Sequence, residues 1–186
     1  DGHLRFNGAS ANTFSGASFV DQGRLTLNKN ASVRALGSVT VTNGAELVLN
    51  ANEQIDNGGT LSIYAGGAFN MNNRNESVGG LNLGGNHVLD TGTGTLTLLG
   101  VLYAGSPYTT NFVSTRATIR GNLSLGGGTR ILQESGCSIV LDCHVSDGAG
   151  VGGIHLLDGF LYLVQSNSFT GPVFVDGNCT ISNNFA

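Results

Sequence analysis

Thr40-Val-Thr-Asn-Gly-Ala-Glu-Leu-Val-Leu49 and Gln54-Ile-Asp-Asn-Gly-Gly-Thr-Leu-Ser-Ile63 share one grammar: a short strand, an Asn-Gly corner, then a glycine-led phrase of alternating apolar and polar residues. The phrase returns as Gly23-Arg-Leu-Thr-Leu27, Gly94-Thr-Leu-Thr-Leu98, Gly121-Asn-Leu-Ser-Leu125 and Gly159-Phe-Leu-Tyr-Leu163. Looser copies lie at Cys137 to Leu141 and Gly177 to Ile181. A period of two puts alternate residues on one face of a strand. Leu25, Leu27, Leu47, Leu49, Leu61, Ile63, Leu96, Leu98, Leu123, Leu125, Leu161 and Leu163 are therefore expected inside. Arg24, Thr26, Ser62, Thr95 and Thr97 are expected outside. Further short strands, such as Val39-Thr-Val41, Phe69-Asn-Met71 and Val173-Phe-Val175, separate the phrases.

Two or three strands per coil, joined by corners of Asn and Gly that tolerate left-handed backbone, stack so that the inward residues merge into one core. The expected fold is an all-β, right-handed parallel β-helix, a solenoid of roughly eight coils with roughly 22 residues and about 4.8 Å per coil, hence a rod near ~40 Å. A β-sandwich is the competing architecture, but it wants more regular strands and two-residue hairpins.

Composition agrees. Only 11% of the 186 residues are charged, Trp is absent, and 30 residues are Gly. The polar positions hold Asn, Thr, Ser and Gly, which favour turns and strands over helix. The 40% hydrophobic fraction supports a core, and no linker-like run divides the chain, so residues 1–186 read as one β-helix domain, part of or a repeating unit in a longer assembly. A start at Asp1 rather than Met reads as a processed or excised chain. A net charge of −4, with no basic cluster, argues against nucleic acid as a partner, and no apolar run is long enough to insert in a bilayer. Cys137 and Cys143 share one strand parity, too far apart for a disulfide, so the cysteines read as small buried hydrophobes.

Two segments resemble the autotransporter-associated β-strand repeat of bacterial surface proteins. They are Gly2-His-Leu-Arg-Phe-Asn-Gly-Ala-Ser-Ala-Asn-Thr-Phe-Ser-Gly16 and Gly159-Phe-Leu-Tyr-Leu-Val-Gln-Ser-Asn-Ser-Phe-Thr-Gly171. Val78-Gly-Gly-Leu-Asn-Leu-Gly-Gly85 is similar to the glycine-rich strand entry of such passengers. The resemblance covers about half the chain, leaving residues 100–155 irregular, and no C-terminal barrel of long alternating strands follows. It implies an extracellular, cell-surface stalk or adhesin without enzymatic activity, without cofactor, and with itself or cell-surface components as partners.

The chemistry-bearing residues fit that expectation. β-helical lyases and hydrolases need several carboxylates on adjacent coils, whereas the twelve acids here are dispersed. The densest polar set is Asp142, His144, Asp147, His155 and Asp158, read as solvated surface. Carbohydrate binding or cleavage by that set is the alternative function. Gly148-Ala-Gly-Val-Gly-Gly153 has dinucleotide-loop spacing but leads into strand-like residues rather than a helix. Metal binding is not expected, since no spacing resembles paired ligands.

Two surfaces are candidates for contact. Phe160, Tyr162 and Phe174 occupy outward positions of the last coils and form the expected lateral patch. Leu4 and Phe6 in the first phrase, with Cys179 and Ile181 in the last, are the expected end-to-end stacking strands. Neither end offers a helix, Pro or charge cluster to cover a terminal strand, and an uncovered edge is a template for pairing. Head-to-tail stacking into a filament, or a tandem array in a longer chain, is the resulting expectation.

Overall fold

The computed structural model describes residues 2–105, 115–176 and 180–183. The first coil carries β1 (His3–Gly8) and β2 (Ser18–Val20), the second β3 (Arg24–Lys29) and β4 (Val39–Val41), the third β5 (Glu46–Leu49) and β6 (Thr60–Ile63). The fourth has three strands, β7 (Ala68–Asn70), β8 (Glu76–Val78) and β9 (Gly80–Leu83). Then come β10 (Val88–Leu98) and β11 (Leu102–Gly105), β12 (Thr115–Ser124) and β13 (Thr129–Ser135), β14 (Cys137–Ser146) and β15 (Gly153–Leu156), and β16 (Phe160–Leu163) and β17 (Val173–Val175). β18 (Thr180–Asn183) opens a further coil. The described residues contain no helix. All the strand pairings are parallel, and the sheets stack as a β-solenoid of about eight turns.

One wall is continuous: an eight-stranded sheet in the order β2-β4-β6-β9-β11-β13-β15-β17. The rest is built by β1-β3-β5-β7 in the first coils and by β8-β10-β12-β14-β16-β18 afterwards. The exchange happens at β10. Its residues 96–98 pair with β8 on one side, while residues 88–90 and, after a register shift, 95–97 pair with β12 on the other. Hydrogen-bond partners on neighbouring coils are typically 21 to 23 residues apart, but 28 to 31 apart where the chain passes through residues 106–114.

The interior is a set of aliphatic columns. Val39, Leu61, Leu81 and Leu102 succeed one another along the continuous wall, each 0–1% exposed. Leu25, Leu47 and Phe69 do the same on the first wall, and Leu96, Leu123 and Val145 on the later one. All twelve residues expected inside are buried. Their intervening partners point outward, yet not all are exposed as expected. Thr26 and Ser62 are buried, because coils only about 4.8 Å apart let longer neighbours close over a short outward side chain. Thr26 lies between Arg5 and Val48 and bonds His3 Nε2 at 2.8 Å. Ser62 lies between Thr40 and Asn82 and accepts from Asn82 Nδ2 at 3.0 Å.

Asn and Gly hold the corners as expected. Asn43 and Gly44 have φ of 51° and 77°, a left-handed pair that costs a β-branched residue heavily but suits Asn-Gly. A second corner is glycine for a different reason. Gly37, Gly59, Gly79 and Gly100 recur one coil apart, and their backbones nearly touch: a Cβ on Gly79 would sit 2.6 Å from the carbonyl oxygen of Gly58.

One interior column is polar. After β3 and β5 the chain crosses to the continuous wall with a single isolated bridge, Leu36 to Ile55, so buried N–H groups there lack ladder partners. Side chains from the next coil supply acceptors. Gln54 Oε1 takes the N–H of Lys29 at 2.9 Å, and the Glu76 carboxyl takes those of Gln54 and Ile55 at 2.8 and 3.1 Å. Gln54 and Glu76 are 0% exposed. Once β8 and β10 pair regularly, the same column continues as Leu96, Leu123 and Val145. Burial pushes the Glu76 carboxyl up to about 8, against the pull of its N–H donors and with a further push from nearby Glu53. Between the ordinary value of 4.5 and about 8 the folded chain therefore holds a proton that the unfolded chain has released, so stability falls as pH rises through that window. Urea unfolding at pH 5 and pH 9 should show this loss in the native protein, and the Glu76→Gln variant should lack most of it.

Candidate functional site

The densest polar set of the sequence divides in two. Asp142, His144 and Asp147, on and just after β14, converge on the loop that follows β16, residues 164–171. His155, on β15, pairs instead with Asp176 at 2.9 Å, and Asp158 lies near Glu134, whose carboxyl is raised first by burial and then by that neighbour.

Each of the three side chains facing the loop grips a different part of it. Asp142 is ion-paired with Arg120 at 3.3 Å and accepts from Gln165 Nε2 at 2.7 Å. Asp147 accepts from the backbone N–H of Thr170 and of Gly152 and from the Thr170 hydroxyl, at 2.7, 2.9 and 2.8 Å. Those backbone donors, Thr170 first, hold its carboxyl below the usual range. The backbone of Val145 adds two more ties, donating to Asn167 Oδ1 at 3.1 Å and accepting from the N–H of Ser168 at 2.9 Å.

His144 is placed between two serines. Its Nδ1 lies 2.8 Å from the carbonyl oxygen of Ser166, and its Nε2 lies 3.0 Å from Ser168 Oγ. A carbonyl can only accept, so Nδ1 carries the hydrogen, and in the neutral imidazole Nε2 presents a lone pair to the Ser168 hydroxyl. Both His144 and Ser168 are exposed. Ser166 and Ser168 were invisible as partners in the sequence because they stand 22 and 24 residues from His144; only the coil spacing brings them together.

Comparison of this chain with protein-family models, with curated proteins and with solved structures finds no match.

The residues of the expected aromatic patch lie on strands of two sheets. Phe160, 48% exposed, and Tyr162, half-buried, lie on β16, and the guanidinium of Arg116 sits 5.7 Å from the Tyr162 ring centroid. Phe174, 51% exposed, lies on β17 in the other sheet, edge-on to His155. Consecutive strands of one coil belong to different walls, which is why these aromatic residues fall on two sheets.

The end strands are edges. Among the described residues β1 pairs only with β3 and β18 only with β16. Leu4 stands directly above Leu25, yet is 56% exposed where Leu25 is 7%. Phe6 is half-buried over Leu27, with Phe14 edge-on at 6.2 Å, and Ile181 is half-buried beside Leu161. Cys179 lies outside the described residues.

Among the described residues no three His, Cys, Asp or Glu side chains gather as a metal site. The Cys137 and Cys143 thiols are free and buried, and burial, helped by Glu134 and Asp142 respectively, pushes them up to about 11 and about 12. Neither supplies a thiolate at neutral pH. Gly148 to Gly152 lie in the loop between β14 and β15, and Gly153 opens β15, so the segment leads into a strand and not into a helix N-terminus.

Proposed function

We propose that this chain is a structural module of an extracellular bacterial surface, a stiff β-solenoid that extends or displays and that associates end to end through its terminal rungs. The observation that carries this reading is Leu4. It continues the interior column of Leu25 and Leu47 and is the member of that column left open, at 56% against 7% and 0%. An apolar rung with an unpaired strand edge accepts another coil, and a second copy's β18 presents Ile181 in the matching inward position.

The placement at a bacterial surface rests on the two repeat-like segments, which occupy equivalent positions. β1 and β16 each precede a loop reading Asn-(Thr/Ser)-Phe-(Ser/Thr)-Gly, at 12–16 and 167–171. In both loops the Asn bonds the backbone of an adjacent coil, Asn12 to Ala35 and Asn167 to Val145. The carbohydrate-cleaving alternative draws less support, since Asp142 and Asp147 are already committed to Arg120, Gln165, Thr170 and Gly152.

Sedimentation velocity over a concentration series tests the reading. The native chain should form elongated species that grow with concentration, and Leu4→Asp should raise the association midpoint at least about tenfold while barely changing the melting temperature, as expected of an exposed position. A native chain that stays monomeric at the highest concentration reached would overturn it.

A further inference from the structure

We propose that Ser168 and His144 form a nucleophile and base pair that transfers the acyl group of small carboxylic esters to water. Three features of the pair meet what such chemistry needs. The hydroxyl is within hydrogen-bond reach of the imidazole, at 3.0 Å. The imidazole is held in the competent tautomer by a third group, the Ser166 carbonyl at 2.8 Å, which takes the orienting place that a carboxylate fills in the usual triad. The loop carrying the nucleophile is fixed on both sides of Ser168, by Asn167 to Val145 and by Thr170 to Asp147, and at its start by Gln165 to Asp142. These are positioning residues, and they cut the reorganisation needed to reach a reactive geometry.

The surroundings limit the substrate. Ser168 and His144 are both exposed, while the adjacent Phe169 turns towards the core, so an ester meets the hydroxyl from solvent and the apolar ring is withheld from it. Short, unhindered acyl groups fit that approach. Ser168 Oγ bonds to the ester carbonyl carbon as its proton passes to His144 Nε2. The bond to the alcohol oxygen breaks and the alcohol leaves with that proton. Water then attacks the Ser168 ester, again through Nε2, to release the carboxylic acid and restore the hydroxyl.

The full chain treated with a fluorophosphonate probe tests the pair. The Ser168 oxygen should bond to phosphorus as fluoride leaves, and the adduct should map by mass spectrometry to the peptide containing Ser168. Hydrolysis of p-nitrophenyl acetate should accompany it. Ser168→Ala should abolish both. His144→Gln should slow labelling about 100-fold, the lower end of what a positioned base contributes, with unchanged melting, since both sites are at the surface. Ser168→Cys, alkylated by iodoacetamide, should react faster with His144 present than in the double variant with His144→Gln, a difference that a merely structural contact would not produce. Labelling that fails to appear at Ser168, or that proceeds at the same rate in His144→Gln, would overturn the proposal without touching the end-to-end reading.

Discussion

Leu81→Ala should lower the unfolding free energy by about 2–5 kcal/mol, the cost of losing buried methyl groups and leaving a cavity that the neighbours only partly fill, with a fall in melting temperature on the order of 10 °C for a chain of this size. Leu81 is 0% exposed, in register with Leu61 on one coil and Leu102 on the next. Two coils therefore lose packing at once. Phe19 is the control. It is a larger side chain and lies in the same sheet, but it points outward and is 74% exposed. Phe19→Ser should leave stability within about 0.5 kcal/mol of the native protein. Thermal and urea unfolding of the two variants side by side check the inward and outward assignment of the continuous wall. Comparable losses in both would mean that the register is wrong.

Gly79→Ala should be nearly as damaging for the opposite reason. The added methyl would lie 2.6 Å from the Gly58 carbonyl oxygen, 2.7 Å from its carbon and 3.0 Å from the Asn57 oxygen. All three are backbone atoms, so no side chain can swing away, and the fourth coil must lift from the third. Overpacking typically costs about 1–3 kcal/mol even where side chains can adjust, and here the hydrogen bond from Gly79 N–H to Gly59, 2.8 Å long, lies in the path of that shift. Gly16→Ala is the matched comparison, because a Cβ there meets nothing within 4 Å. It should be neutral. The contrast separates glycine needed for close coil approach from glycine that merely occurs in a loop, and hydrogen exchange should show increased opening in residues 55–63 and 76–83 of the Gly79 variant alone.

The columns that these two variants probe were legible in the sequence, because alternation inside Gly23–Leu27 or Gly159–Leu163 fixes which residues share a face, and Asn-Gly at 43 and 44 announces a left-handed corner. What could not be read was the register between coils. Glu76 alternates with Val78 and so belongs inside with it, but a buried carboxyl makes sense only once Gln54 and Ile55 are seen to need acceptors one coil away. Thr26 and Ser62 have the right parity for the surface, and their burial comes from neighbours more than 20 residues distant. The aromatic residues of the last coils read as a single patch for a related reason. Phe160 and Phe174 are close along the chain, but nothing in the local pattern says that the chain has changed wall between them. Ser168 opposite His144 depends on the same missing quantity, the length of each coil.

That length also sets what the solenoid can do. Each coil contacts only its neighbours, so stability and growth are both matters of adding rungs. On the proposed end-to-end reading, the terminal rung, which exposes Leu4 and among the described residues pairs on one edge only, is where a rung would be added. Electron microscopy of the purified chain across a concentration series tests this account most directly. It predicts rods of constant width whose lengths are multiples of a single unit, roughly 40 Å for about eight coils at 4.8 Å, lengthening with concentration in the native protein and remaining single units in Leu4→Asp. Particles of one fixed length at every concentration, identical in the native protein and the variant, would contradict it.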